Sequence, residues 1–458
     1  MEKKGGDSFR FPGKLLFLAV LALVFMTLLL RDRDRNPFIS SHESAQNQYT
    51  TPPPAPACFL HDPSNSSVSM EPEMKTDEGN SQSMTIEERE EASENVDSSA
   101  TSYPPEKEDG NKNGTSLVET KVCNYAKGRW VADSRPPLYT VGCKYMQRNW
   151  ACRLTNRTDF SYEDYRWQPI DCKMPEFEPS DFLRRMQDKT VAFIGDSLSR
   201  EQFQSMMCML TRGEGSPDVE DVADKYGFLK LIRKGAYHHH GWAYRFRSTN
   251  TTILHTWSAR LCDRKPINAT DPNTLYAMHL DGQPAFIREN LNQINVLVIN
   301  TAHHWSKTMV NMDKEVMYVN GTPVHDKFLR NIENAKIFKV NNIVKWLDSE
   351  LASHPNLQVF FRTTSPRHFF KGEWNTGGKC DNLVPMTRGS EVLGDESSDK
   401  IVAAAVQGTR VKILDITALS DLRDEAHISH YGHKANDCLH WCLPGVPDTW
   451  NELLSAQV

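Results

Sequence analysis

Apolar positions are spread unevenly along the chain. Residues 15–30 are apolar throughout except for Thr27. As a helix this run would extend about 24 Å, slightly under the roughly 30 Å hydrocarbon core of a bilayer. Lys14 and Arg31 flank it, and their long stems can carry the charges back to the interface. The sequence that follows, Arg31-Asp32-Arg33-Asp34-Arg35, offers no small-residue cleavage site. The run is therefore predicted to remain as a signal anchor. Residues 31–120 are rich in Ser, Glu, Asp, Asn and Pro and poor in large apolar side chains. Such a stretch buries too little surface to offset its ordering entropy, which predicts an unstructured stem.

From residue 121 the pattern becomes that of a folded protein. Apolar runs at 190–194, 252–254, 294–299, 359–361 and 411–416 predict buried strands. Ile337, Val340, Val344, Leu347 and Leu351 recur at spacings of one helix face, and 400–406 reads as a second helix. Alternating strands and helices predict an α/β fold, a parallel sheet covered on both faces. Residues 121–175 carry Cys123, Cys143, Cys152 and Cys172 with Trp130, Trp150 and Trp167, the composition of a small disulfide-stapled module. The expected organisation is thus a tail at 1–14, an anchor at 15–30, a stem at 31–120, a module at 121–175 and a main domain at 176–458.

Charge sharpens this picture. The chain's net charge of −6 hides −11 in residues 61–120 and +3 in 121–458, so the acidity belongs to the stem. Without a basic tract, a nucleic-acid partner is not expected. Sequons at Asn65, Asn113, Asn156, Asn250, Asn268 and Asn320, with ten cysteines, predict a lumenal body behind a cytosolic tail.

Two short motifs carry candidate chemistry. Val191-Ala192-Phe193-Ile194-Gly195-Asp196-Ser197 ends a strand and opens a helix expected to run through Met209. Ser197 would lie where unpaired backbone N–H groups can stabilise an oxyanion, with Gly195 permitting the turn. Taken alone, Gly-Asp-Ser reads better as an ordinary N-cap serine aided by Glu201. Near the other end, Asp437-Cys438-Leu439-His440-Trp441-Cys442 places an Asp three residues before a His. That Asp can fix the imidazole tautomer and leave the second nitrogen to take a serine proton. A zinc set of Cys438, His440 and Cys442 is the competing reading, disfavoured in an oxidising compartment. His238, His239 and His240 are adjacent and do not converge as ligands, so no metal is expected. His303, His304, His368 and His427 are reserve bases, and Asp415 a reserve for Asp437.

Together the motifs resemble the SGNH (GDSL-like) hydrolase superfamily. The likeness extends to the plant trichome-birefringence-like family. It is carried by Arg129-Trp130, Cys143, Cys152, Tyr165-Arg166-Trp167, Cys172, the run from Gly195 to Gln202, the run from Phe361 to Phe369, and the long block from Asp437 to Asn451. The resemblance implies an SGNH-hydrolase-like three-layer parallel sheet behind a small disulfide-stapled module, held in the Golgi membrane as a single-pass type II protein by residues 15–30. It implies O-acetylation of a cell-wall polysaccharide such as xylan, mannan, xyloglucan or pectin. Deacetylation and a pectin-binding role are the alternatives. Carried over by position, Ser197 is the nucleophile, His440 the base and Asp437 its orienting partner. An acetyl donor is required, acetyl-CoA or another carrier, and no bound cofactor is expected.

The remaining site residues are more loosely indicated. Gly195, Asp196, Asn300, Trp305 and Arg362 are candidates for the oxyanion or substrate contacts. Where the family often reads Asn-Thr-Gly-His-Trp-Trp, this chain has Asn300-Thr301-Ala302-His303-His304-Trp305. Trp305, Trp374, Trp441 and the module's tryptophans could line a glycan groove or pack in the core. Arg166, Arg362 and Arg367 could meet acidic sugars or pair locally. The resemblance also suggests four disulfides that join the module to the body and fix the Asp437–His440 segment. Cys58 in the stem is then the foremost unpaired cysteine and a candidate link between two chains.

Overall fold

The computed structural model describes residues 123–228, 231–233, 236–238, 241–271, 273–432 and 436–458. The predicted tail, anchor and stem, with Cys58, His239 and His240, lie outside them. No helix among the described residues is long and apolar enough to cross a membrane.

The main sheet has seven strands. From one edge their order is Lys412–Leu414, Gln358–Arg362, Val296–Ile299, Thr190–Gly195, Thr251–Trp257, Gly241–Phe246 and Val219–Asp221. The first five run parallel, as the apolar runs predicted. Only 241–246 runs the other way, antiparallel to both 251–257 and 219–221, so the sheet is mixed. The reason is local: a tight turn with Asn250 at φ 51° folds 241–246 back beside 251–257.

Side chains on the central strand alternate between two cores, the period-2 signature of a strand buried on both faces. Val191 and Phe193 face the helices Ser197–Thr211 and Val446–Ser455 through Phe203, Met206 and Trp450. Ala192 and Ile194 face Ile332–Leu351 and Lys400–Val406 through Val340, Ile343, Val344 and Val402. Of the predicted stripe on Ile332–Leu351, Ile337 points outward, and Ala335 and Lys339 lie on the buried face instead.

The module does not stand apart from the body. Its strands Gly128–Ala132 and Tyr165–Pro169 form a sheet with Glu391–Val392, and Trp130, Trp150 and Trp167 share one core with the Ser197 helix. Cys143–Cys208 ties the module to that helix, and Cys152–Cys442 ties it to the segment just after His440. Cys380–Cys438 clamps the strand Asp437–Trp441. Cys123–Cys172 closes within the module, so it does not bridge to the body. Cys262 is unpaired.

Candidate active site

Ser197 opens its helix at the carboxyl end of the central strand, where the chain continues to 251–257 on one side and 296–299 on the other. Ligands in open α/β sheets collect at such a switch point. The helix cap is Asp196 rather than Ser197. Its Oδ1 accepts from the N–H groups of Leu198 at 3.1 Å and Ser199 at 3.4 Å, and from Asn300 Nδ2 at 3.0 Å. The serine hydroxyl is thereby left free of capping. Gly195 is needed for space more than for turning. A Cβ there would stand 1.9 Å from Asn300 Oδ1, so the glycine lets Asn300 reach across to Asp196.

His440 Nε2 lies 2.7 Å from Ser197 Oγ. Its Nδ1 faces Asp437 Oδ2 at 2.9 Å. Asp437 is itself fixed, because its Oδ1 accepts from the N–H groups of Leu439 and His440 at 3.2 and 3.0 Å. Burial opposes the charge on both partners, yet their mutual attraction prevails. His440 is lifted to about 9, and Asp437 is held well below the usual carboxylate range. Trp150 of the module stacks on His440, with centroids 5.8 Å apart at 23°. The serine, imidazole and carboxylate thus form one hydrogen-bonded chain, an arrangement suited to activating a hydroxyl nucleophile.

Several loosely indicated residues serve the scaffold. Asp196 is buried as the cap, and Arg362, although within the charge field of Asp196 and Glu201, reaches the helix from below. Only 1% of Arg362 is exposed, its Nη1 donates to the Leu198 carbonyl at 3.1 Å, and it lies over the Trp450 ring. Trp305 is also buried, donating from Nε1 to Thr301 Oγ1 at 2.7 Å within a small core with Met278 and Met317. Of the two readings of this ring, a glycan-groove wall and core packing, the structure shows core packing. Trp441 and the module's tryptophans are buried, whereas Trp374 is exposed. Arg166 lies 3.9 Å from Asp133, and Arg367 pairs with Glu373 at 3.2 Å.

The reserve groups other than His304 are engaged elsewhere. His303 Nε2 meets the Ser365 carbonyl at 2.7 Å, and His368 and His427 face each other at 2.7 Å. Asp415 accepts from Thr363 Oγ1 at 3.1 Å. The zinc reading fails because Cys438 and Cys442 are both in disulfides. No cluster of metal-ligating side chains occurs among the described residues.

Glu201, one turn along the Ser197 helix, was read from sequence only as an aid to capping. It is fully buried instead, and its Oε1 accepts from the N–H of Trp441, the residue after His440, at 2.9 Å. Burial pushes its carboxyl up to about 8, against the charge of His440 and the Trp441 N–H. Nothing in a lone Glu four residues after a serine announces such a role. Its partner is 240 residues away.

Comparison with known proteins identifies the family. Residues 174–457 match the model of the GDSL/SGNH-like acyl-esterase family found in Pmr5 and Cas1p, and 121–173 match the PMR5 N-terminal domain. The chain is 55% identical to trichome birefringence-like 14 of Arabidopsis thaliana over 75% of its own length and 88% of that protein. It is 55% identical to trichome birefringence-like 15 of the same plant, covering 75% and 72%. It is 30% identical to xyloglucan O-acetyltransferase 1 of Populus trichocarpa, covering 74% and 81%. A GDSL/SGNH-like acyl-esterase domain behind a PMR5-type N-terminal domain, together with these relatives, places the chain in the trichome-birefringence-like family.

Proposed function

We propose that the protein transfers acetyl groups to hydroxyls of a cell-wall polysaccharide through an acetyl-serine intermediate. The observation that carries this reading is the hydrogen-bonded chain from Ser197 Oγ through His440 to Asp437, at 2.7 and 2.9 Å. The kinship to a xyloglucan O-acetyltransferase supports acetyl transfer to a glycan over other acyl chemistry.

In the first half-reaction His440 Nε2 takes the Ser197 proton as Oγ attacks the acetyl carbonyl. The oxyanion is held by the Ser197 N–H at the helix start and by the second hydrogen of the Asn300 amide, whose first is given to Asp196. Collapse expels the carrier, which leaves with the proton from His440. In the second half-reaction a sugar hydroxyl gives its proton to His440 and attacks the acetyl-serine. The acetylated sugar leaves, and Ser197 regains its proton. Water in place of the sugar would make the same residues an esterase. Exclusion of water by the bound glycan decides between the two outcomes.

The donor in this reading is acetyl-CoA or another acetyl carrier. The setting is the Golgi lumen, with residues 15–30 as the anchor. Exposure of Asn156, Asn250, Asn268 and Asn320, all in sequons, supports a glycosylated lumenal body. The experiment offers acetyl-CoA and xylan, mannan, xyloglucan and pectin oligosaccharides to the full chain and to Ser197→Ala, with products read by mass spectrometry. Serine-dependent acetylation of one glycan is expected. Serine-dependent loss of acetyl from acetylated glycans, with no transfer, would make the protein an esterase.

A further inference from the structure

Two rings outside the serine–histidine–aspartate chain meet beside the turn that carries Ser197. Trp257 ends the strand on one side of the central strand, and His304 follows the strand on the other. Trp257 is in register with Gly195, which puts their backbones about 5 Å apart. The Ser258 N–H donates to the Gly195 carbonyl at 2.7 Å, locking that end of the strand to the turn that bears Ser197. The Trp257 and His304 rings meet edge to face, with centroids 5.5 Å apart at 87°. Because they rise from strands on opposite sides, the pair spans the end of the central strand at Gly195 and Asp196.

The exposure of Trp257 calls for a reason. Every other residue of its strand is buried, yet Trp257 is 45% exposed, and it belongs to none of the apolar cores. A large ring left nearly half open, two residues in register from the nucleophile, has a face available to a ligand. His304 is held below its ordinary value by burial, which leaves a neutral ring with one donor and one acceptor. The charges of Asp196 and His440 both act on it, so it stands within their field. Arg260 Nε donates to the His304 carbonyl at 3.3 Å while its Nη1 pairs with Glu315 at 2.9 Å, which fixes the loop.

We propose that Trp257 and His304 form the acceptor subsite, in which the indole face covers the C–H face of a pyranose ring and the imidazole hydrogen-bonds one of its hydroxyls. The glycan class fits a linear chain of equatorially linked pyranoses, whose rings present flat apolar faces beside a rim of hydroxyls. This rests on the acetyl-transfer reading for its role as acceptor site, but binding can be read without turnover.

The test uses the full-length protein carrying Ser197→Ala and measures binding of xylohexaose, cellohexaose and mannohexaose by calorimetry. Adding Trp257→Ala is expected to weaken the glycan that binds by about tenfold or more, with Trp257→Phe recovering part of the loss. His304→Gln, which keeps a donor and an acceptor, should lie nearer the parent than His304→Ala. Unchanged binding in Trp257→Ala overturns the proposal. So does equal loss in the Ala and Phe variants, which would mean a packing role, or a parent that binds none of the glycans. Should the active protein show no serine-dependent acetyl chemistry while Trp257-dependent binding persists, the transfer reading fails and the subsite stands.

Discussion

His440 Nε2 stands 2.7 Å from Ser197 Oγ, although 243 residues separate the two. Two structural devices close that distance. The central parallel strand delivers Ser197 to the carboxyl edge of the sheet, and the disulfides Cys152–Cys442 and Cys380–Cys438 hold the short strand that carries His440. The module supplies one cysteine of the first bridge and the Trp150 ring that backs the imidazole. In this arrangement the module is part of the site's support.

The electrostatics of His440 predict the pH dependence of turnover. The base must be neutral to accept a proton, and Asp437 holds the imidazole at about 9. We expect kcat/KM to rise about tenfold per pH unit through the neutral range and to level near 9. Asp437→Asn removes the attraction that lifts this value, so the limb should move to lower pH while the plateau falls by roughly 10³- to 10⁴-fold. A pH–rate profile checks both, and a limb unmoved in the variant would contradict the assignment.

Glu201 makes a separate prediction for stability. Its folded value of about 8 lies above the ordinary 4.5, because burial disfavours the charge. Between those pH values the unfolded chain has lost this proton and the folded one retains it. Its contribution to stability is therefore greatest below about 4.5 and declines as pH rises toward 8. Glu201→Gln keeps an acceptor for the Trp441 N–H and removes the titration. The variant should gain on the parent as pH rises, by on the order of a few kcal/mol. Denaturant unfolding at several pH values reads the difference, and parallel stability curves would refute it.

Gly195 tests the packing of the nucleophile turn. The 1.9 Å approach to Asn300 Oδ1 leaves no room for a methyl group. Gly195→Ala should displace Asn300 from Asp196, cost about 3 kcal/mol in unfolding free energy, and lower turnover at least tenfold. A melting temperature and rate equal to the parent's would show that Asn300 does not fix the turn.

Legibility in the sequence followed the range of the interactions. The central strand and its helix are local, apolar and periodic, so residues 190–197 announced both the strand and the helix start. The Asp437–His440 spacing is likewise local, and the two side chains do meet. What depended on distant partners was not legible. A flat ring and a cation made Trp305 and Arg362 candidate sugar contacts, but their orientation is set by Thr301 on one side and by Leu198 and Trp450 on the other. Trp257 drew no notice because its strand was read to stop at residue 254. The three further residues carry it to the rim beside Gly195.

The most direct measurement is intact-protein and peptide mass spectrometry of the full chain after brief exposure to acetyl-CoA. The account predicts an acetyl group on the peptide bearing Ser197, absent from Ser197→Ala, slow to form in His440→Ala, and discharged on addition of the acceptor glycan. Acetyl transfer at the parent's rate by Ser197→Ala, with no acetyl on that peptide, would contradict it.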